Sequence, residues 1–387
     1  MSDSKVIKSV TGNHHSISSK IIQQTRQEIT TNHKSFVSVI ISARNEEKNI
    51  KKCLECLAKQ DYNNEYFEVL IINDHSSDKT VDIIKTFILN GDIDVKLLHS
   101  SDTSGKKAAL SAGYKVAKGE LILTTDADCE VQPSWISAMN SAFNSSDALL
   151  ITGPVMMFQG KGCFNKFQCI EFNSLIASTA GSIGLNRPIM SNGANMGFKR
   201  AALNELQMRT ALDKTVSNPM QNQRSSGDDV FLMLAFKNLF GKKSISFLNN
   251  PETVVYTFAQ NTLKQFISQR LRWVSKSGGY RDPQVIYTAL SIFIFNLLML
   301  LLVPAILILF FQNSYLVELL LKVLLVIFSL KTIVDYLLLY EYSSLFGQKK
   351  LLPYLFIFEP LVILYTVLVG ILGNFLTFSW KGRIYKK

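Results

Sequence analysis

The sequence predicts an α/β fold with a mostly parallel, Rossmann-like sheet, followed by C-terminal transmembrane helices. Three observations carry this. Apolar runs of strand length alternate with amphipathic stretches from Phe36 to beyond Pro133. Those runs are near-continuous Val, Ile and Leu, as strands covered on both faces require. From Ile286 onward the 387-residue chain is dominated by Leu, Ile, Val and Phe.

Residues 1–35 are rich in Ser, Thr, Gln, Asn and Lys and contain no apolar h-region, so they read as a flexible polar tail, neither signal peptide nor anchor. The first strand is FVSVIIS, with a helix after Glu46; FEVLIIN follows, with a helix after Asp78. Then come VKLLH with a helix after Gly105, and ELILTT with a helix after Pro133. Such alternation argues for parallel strands joined by helices. Ligands of these sheets collect at the carboxyl ends of the strands, and Asn73-Asp74 and Asp126-Ala127-Asp128 both fall there. No GxGxxG follows a strand, since the first turn reads SARNEE. Gly105-Lys106 lacks the upstream glycine of a P-loop, and Lys107 stands where Ser or Thr is needed, so neither phosphate-binding signature is present.

Residues 36–280 read as the soluble domain and 281–387 as a membrane region with segments 286–311, 316–340 and 353–378 and a basic tail. Each segment reaches the roughly 20 apolar residues that span a bilayer core. The net charge of +11 flanks these segments: Lys264, Arg270, Arg272, Lys276 and Arg281 precede the first, Lys349 and Lys350 precede the third, and Lys381, Arg383, Lys386 and Lys387 follow it. The positive-inside rule then predicts a multi-pass protein of the cell membrane with its soluble domain on the cytoplasmic face. Without interleaved aromatics or a recognisable module, the charge does not point to nucleic acid. Three crossings would leave the tail WKGRIYKK outside, against the same rule. Either the third segment re-enters, broken at Glu359-Pro360, or the tail is an exception. Lys331 and Asp335, one turn apart in the second segment, mark an internal ion pair or an interfacial position. Cys53 and Cys56 lie in a helical stretch and read as a packed face, and Cys163 and Cys169 do not suggest a disulfide in a cytoplasmic domain. The five His residues fit no ligand pattern.

A carboxylate pair two residues apart at a strand end, as in Asp126-Ala127-Asp128, can hold a divalent ion whose other ligands come from a nucleotide diphosphate. That pair belongs to an ordered series: VSVIISARNEE (37–47), INDHSSD (72–78), SGKKAALSAG (104–113), TTDADCE (124–130), SNGANMGFKR (191–200), SGDDVFL (226–232) and QRLRW (269–273). With this series the chain resembles membrane-bound family 2 glycosyltransferases of GT-A fold, which include ceramide glucosyltransferases and polysaccharide synthases. The resemblance covers residues 36 to about 280 and the membrane region.

The resemblance implies that Ala43, Glu46 and Asp74 line the pocket for the nucleotide's base and ribose, and that Lys106 offsets diphosphate charge, with Lys107 its nearest competitor. Asp126 and Asp128 would bind Mg or Mn, Asp126 also reaching the ribose or sugar. Asn195 would floor the acceptor site. Asp229 would take the acceptor's proton, with Asp228 beside it raising its basicity, and Gln269, Arg272 and Trp273 would close over the diphosphate and the acceptor mouth. The same residues also fit plainer roles: Glu46 in a first helical turn, Asp74 as a turn acceptor, Asp228 or Asp229 as an N-cap, and QRLRW as a basic interfacial helix. Ser42 departs from the family's usual proline and His75 from a small or acidic residue. The stretch CFNKFQCIEFNSLIASTAG has an apolar face with Phe164, Phe167, Phe172 and Leu175, suited to lipid headgroups or to core packing.

The expected activity is inverting transfer of a sugar from a nucleotide-sugar donor, UDP-linked, to the hydroxyl of a membrane lipid. A processive polysaccharide synthase and a catalytically inactive nucleotide-binding scaffold are the alternatives. About three apolar segments with almost no polar lining favour single transfer over a polymer channel, and an intact Asp126, Asp128, Asp229 and Arg272 argue against the scaffold.

Overall fold

Strands β1 (Val37–Ala43) and β2 (Phe67–Asn73) bury every residue except the half-buried Ser42, which is why their sequences show no polar alternation. In the computed structural model, which describes residues 34–91, 93–100, 105–213, 227–312, 315–373, 375, 378–381 and 383–385, they lie side by side in a seven-stranded sheet. The predicted flexible tail, residues 1–35, lies almost entirely outside the described residues. With β3 (Val95–His99), β4 (Leu121–Thr124), β6 (Leu150–Thr152), β8 (Met196–Lys199) and β9 (Ile245–Phe247), the order is β3-β2-β1-β4-β8-β6-β9. Only β8 runs against its neighbours. A small second sheet joins β5 (Glu130–Val131), β10 (Val255–Thr257) and β7 (Val155–Met157).

The register sets the site. Ala43 pairs with Asn73, so β1 and β2 end flush, whereas β4 ends at Thr124 opposite Ile40. The three carboxyl ends thereby form a step into which the next residues of each strand project. Helices α1 (Ile50–Ala58), α2 (Thr80–Asn90), α3 (Lys106–Val116) and α4 (Trp135–Asn144) follow the four strands at the predicted places. Helix α3 rests closely on the sheet because Gly113 has no side chain: a Cβ there would lie 2.7 Å from Ile40 and 2.8 Å from Ile72. Cys53 is buried on α1, as a packed helix face predicts.

Helices α5 (Cys163–Gly184), α6 (Arg200–Leu212), α7 (Asp228–Phe240) and α8 (Leu263–Ser275) complete the catalytic domain, and α9 (Pro283–Phe311), α10 (Leu316–Leu345) and α11 (Leu352–Leu372) follow. Among the described residues, two helices are long and apolar enough to cross a membrane, Pro283–Phe311 and Lys349–Leu372. Between them α10 carries Glu318, Lys322, Lys331, Asp335 and Glu341. Lys331 is an internal ion-pair residue: it bonds Asp335 at 2.6 Å and also Glu359 of α11, which is 1% exposed.

The third apolar segment differs from expectation in two ways. It is not broken at Glu359-Pro360, since α11 runs through Pro360, and it ends at Leu372 rather than 378. It lies along the catalytic domain for its whole length. Tyr354 meets Lys166, Phe358 meets Phe167, Tyr365 meets Glu171 and Phe266, and Gly373 at its end abuts Val274. A helix of this length spans about 30 Å, the thickness of a bilayer core, and both of its ends meet residues of the preceding domain. The chain then turns through β11 (Phe378–Trp380) and β12 (Arg383–Tyr385), and Lys381 between them contacts Arg44 and Glu46. The apolar face of α5 is likewise covered by protein: Phe167 and Phe172 pack against Phe266, Phe358, Tyr365 and Trp273.

Candidate active site

The loops after β1 and β2 are knitted together before any side chain faces the cleft. Asn45 and His75 both adopt left-handed backbone (φ 52° and 56°), and the amide of Asn45 donates to Ser76 Oγ at 3.1 Å while its side chain accepts from the amide of Ser77 at 2.9 Å. Asp74, 1% exposed, donates its amide to the Ala43 carbonyl at 2.8 Å and accepts from the Gly105 amide at 3.0 Å. His75, the unusual residue here, lies with Nδ1 3.3 Å from Asp74 and 3.2 Å from Ser100. Glu46 is buried, accepts from Asn49 at 2.9 Å and pairs with Lys381. Ala43 has no exposed surface and sits in the core, so it frames the pocket through its carbonyl and does not line it.

Across this pocket, Lys106 at the start of α3 forms an ion pair with Asp126 at 2.5 Å. Lys107 points elsewhere, 5.1 Å above the Phe231 ring. This separates the two lysines that the sequence left in competition. Burial works against the Lys106 ammonium, but Asp126, Asp228 and Asp229 outweigh it and raise its pKa. Asp128 shows the reverse: burial, then the charges of Asp126 and Glu46, push it up to about 6.

Ligand atoms of Asp126, Asp128 and Cys129 lie within 4.8 Å of one another. The Cys129 thiol is pushed well up by burial and by both aspartates, so it remains protonated and poorly suited to a hard cation. Two carboxylates therefore remain, crowded enough that Asp128 resists ionising. A divalent cation would relieve that repulsion, and the donor set fits one completed by phosphate oxygens.

Asp228 and Asp229 open α7 just after Gly227, the N-cap residue, whose φ of 92° suits glycine. Neither aspartate is the cap, so the plainer reading as an N-cap pair does not describe them. Asp229 accepts from the Gly193 amide at 3.2 Å and the Val230 amide at 2.8 Å, with Lys276 Nζ 3.6 Å away. Burial would raise its pKa, yet Lys276, Lys106 and the two amides hold it below the usual carboxylate range. Asp228 moves the other way, pushed up by burial and by Asp229 and Asp126 against the pull of Lys106. The expected rise in Asp229 basicity thus does not occur: the pair splits, with Asp229 shifted down and Asp228 shifted up. Asn195 is completely buried, with its side chain bonded to Trp135 at 2.9 Å, Pro154 at 2.8 Å and Thr253 at 2.7 Å. It braces the strand below the site and presents no atom to an acceptor.

Of the motif on helix α8, Arg272 reaches the same cleft. It is half-buried, and the charges of Asp126, Asp228, Asp229 and Asp128 oppose the lowering of its pKa by burial. Trp273 is half-buried, with its ring 6.1 Å from Phe172, and Gln269 accepts from Arg270. Three contributors were missing from the sequence reading as site residues: Arg44, which donates to the Asp74 carbonyl at 2.7 Å and the His75 carbonyl at 2.9 Å; Lys276 on Asp229; and Lys381 on Glu46. Arg44 lies within the first motif string, whereas the only sequence signal of Lys276 and Lys381 is positive charge, which topology claimed first.

A mostly parallel sheet with an acidic pair beyond β4, a second acidic pair opening α7 and an arginine–tryptophan helix closing over both is the layout of a glycosyltransferase of GT-A fold. Residues 38–206 match the family described as glycosyl transferase family 2. The chain is 25% identical over 285 residues to the dolichyl N-acetyl-α-D-glucosaminyl phosphate 3-β-D-2,3-diacetamido-2,3-dideoxy-β-D-glucuronosyltransferase of Methanococcus voltae, covering 71% of this chain and 86% of that protein. It is 32% identical over 120 residues to a glycosyltransferase of Haloferax volcanii, but those residues are 31% of this chain and only 39% of that relative. The fold matches a Pyrobaculum calidifontis mannosyltransferase solved with GDP-Man and Mn2+, with a TM-score of 0.52 at 14% identity over 95% of this chain and 97% of that one. Over residues 38–206 the chain is similar to family 2 glycosyltransferases.

Proposed function

We propose that the protein transfers one sugar, with inversion, from a UDP-linked donor to the hydroxyl of a membrane lipid, working on the cytoplasmic face of the cell membrane. The observation that carries this reading is the split acidic pair: one half-buried carboxylate, its pKa held down, beside an arginine, a lysine and two metal-suited aspartates. Glu46 and Asp74 offer acceptors to the base and ribose, and Lys106 and Arg272 face the diphosphate. Asp126 and Asp128 would hold Mg or Mn, which when bound offsets the charge of the departing diphosphate. The acceptor hydroxyl attacks the anomeric carbon and gives its proton to Asp229, while the bond from that carbon to the diphosphate oxygen breaks. The single step leaves nucleoside diphosphate on the cationic side of the cleft. Asp228 would contact the donor in its less ionised form, and Trp273 would border the acceptor mouth.

Membrane geometry supports a lipid over a growing polymer. Helix α9 would cross the membrane, α10, with Lys331 paired to Asp335 and Glu359, would return through it, and α11, although apolar enough to cross, would lie in the interface, returning the basic tail to the catalytic face as the positive-inside rule asks. This arrangement satisfies the charge rule without an exception. A pair of crossings offers no bundle around a polar pore. The Asp229→Asn variant tests the chemical step: Mn-dependent UDP affinity is expected to stay within about twofold while transfer falls by about 10²–10⁴-fold, the range of a general base. Transfer at the wild-type rate would remove Asp229 from that role.

A further inference from the structure

Arg270 lies inside the arginine–tryptophan motif but belongs to the other side of α8. Successive residues of a helix turn by 100°, so Arg270 and Arg272 point about 200° apart. Arg272 faces the cleft carboxylates, while Arg270, 1% exposed, bonds the Glu171 carboxylate of α5 through Nε at 3.1 Å and also through Nη2. Its guanidinium carbon is 4.2 Å from the Trp273 ring and 4.3 Å from that of Phe266. Its third nitrogen donates to Gln269. Glu171 accepts a further bond, at 3.1 Å, from the Tyr365 hydroxyl of α11.

Burying an ion pair gives little stability over apolar packing of similar volume, so stability alone does not account for this one. What a planar, two-point bond supplies is orientation. A rotation of α8 that breaks the Arg270–Glu171 fork also swings Arg272 away from the aspartates and moves Trp273, which leans on the guanidinium.

We propose that Arg270 and Glu171 are positioning residues for Gln269, Arg272 and Trp273, and that Tyr365 makes them the link through which the seating of α11 sets the acceptor side of the site. This rests on the reading of Trp273 as an acceptor-facing residue. Apolar helix and catalytic motif are then one mechanical unit, and an enzyme whose α11 is poorly seated holds its donor normally but presents a misaligned acceptor platform.

Tyr365→Phe is the mild test, because it removes one hydrogen bond and leaves the ring contacts with Phe266 and Phe167 in place. The full-length protein is placed in nanodiscs of phosphatidylcholine and phosphatidylglycerol, and hydrogen exchange is followed in Leu263–Ser275 and in β1 and β2. Exchange is expected to quicken about tenfold in α8 and not in the strands, with the KM for diacylglycerol or another lipid used by the wild type rising by about the same factor and the donor KM unchanged. Arg270→Lys keeps the charge, loses the fork and should show the same pattern more strongly. Unchanged exchange in α8 would overturn the coupling. A parallel rise of donor and acceptor KM together with a lower melting temperature would reduce the cluster to packing. A wild-type protein that transfers to no lipid would refute the proposed function before any variant is made, and the exchange measurement would still decide the coupling.

Discussion

On one face of α8, Arg270 is locked into a closed, balanced pair with Glu171; on the other, Arg272 looks onto four aspartates crowded together. The first environment is buried and the second half-buried, and they treat charge differently. The Glu171–Arg270 pair is matched one to one and saturated with hydrogen bonds. In the cleft, Glu46, Asp126, Asp128, Asp228 and Asp229 meet Lys106, Lys276, Arg272 and Lys381, and the pKa values are pulled apart: Asp128 up to about 6, Asp229 below its usual range. Charge that is balanced within the protein holds elements in place. Charge left strained against itself is poised for something that arrives, here a cation and a diphosphate.

The largest effect that separates the two faces should come from Asp128→Ala, which removes a cation ligand. Transfer is expected to fall by about 10³-fold, in keeping with the several kcal/mol that a bound cation supplies, with little change in melting temperature in metal-free buffer. An unaltered response of UDP binding to Mn would contradict the ligand role. Glu171→Gln should do the opposite, lowering unfolding free energy by about 3–5 kcal/mol because it strands Arg270 in a buried position, as denaturant unfolding in detergent would show.

Lys276→Met sharpens the comparison within the cleft. Asp229 is active when ionised, and Lys276 helps to hold its pKa below the ordinary value. Its folded-state depression stabilises the protein above the unfolded pKa of about 3.9, and that contribution is lost as pH falls through the folded value. Without Lys276 the folded pKa rises, so the acid limb of the transfer rate should move upward by about one pH unit. A limb that stays in place would separate Lys276 from the base. The smallest effect belongs to neither cluster: Lys51 and Glu55 form a 3.9 Å pair on the exposed side of α1, and Lys51→Ala should change stability by less than about 0.5 kcal/mol.

How much of this was legible beforehand follows from what sequence patterns encode. Strand and helix order was readable because burial on both faces forces unbroken Val, Ile and Leu, and the acidic pairs were readable because strand ends fix where they stand. The roles of Ala43 and Asn195 were misplaced for one reason: the motif gives position along the chain, while packing decides which way a side chain faces, and both turn inward. Arg44, Lys276 and Lys381 escaped notice because their partners are set by tertiary contact; Lys381 reaches Glu46 across 335 positions. For the third apolar segment, hydropathy gave the helix but could not tell which side of it is laid against Phe167, Phe266 and Val274. Its register with α5 and α8 does make that distinction.

The central claim, that the strained cleft transfers a sugar to a lipid, is tested most directly by incubating the purified protein in lipid bilayers with a panel of radiolabelled UDP-sugars and Mn, then separating the products by chromatography. The account predicts one or a few discrete lipid bands that disappear on chelation. Label retained at the origin as high-mass material, or no incorporation from any donor into any lipid, would contradict it.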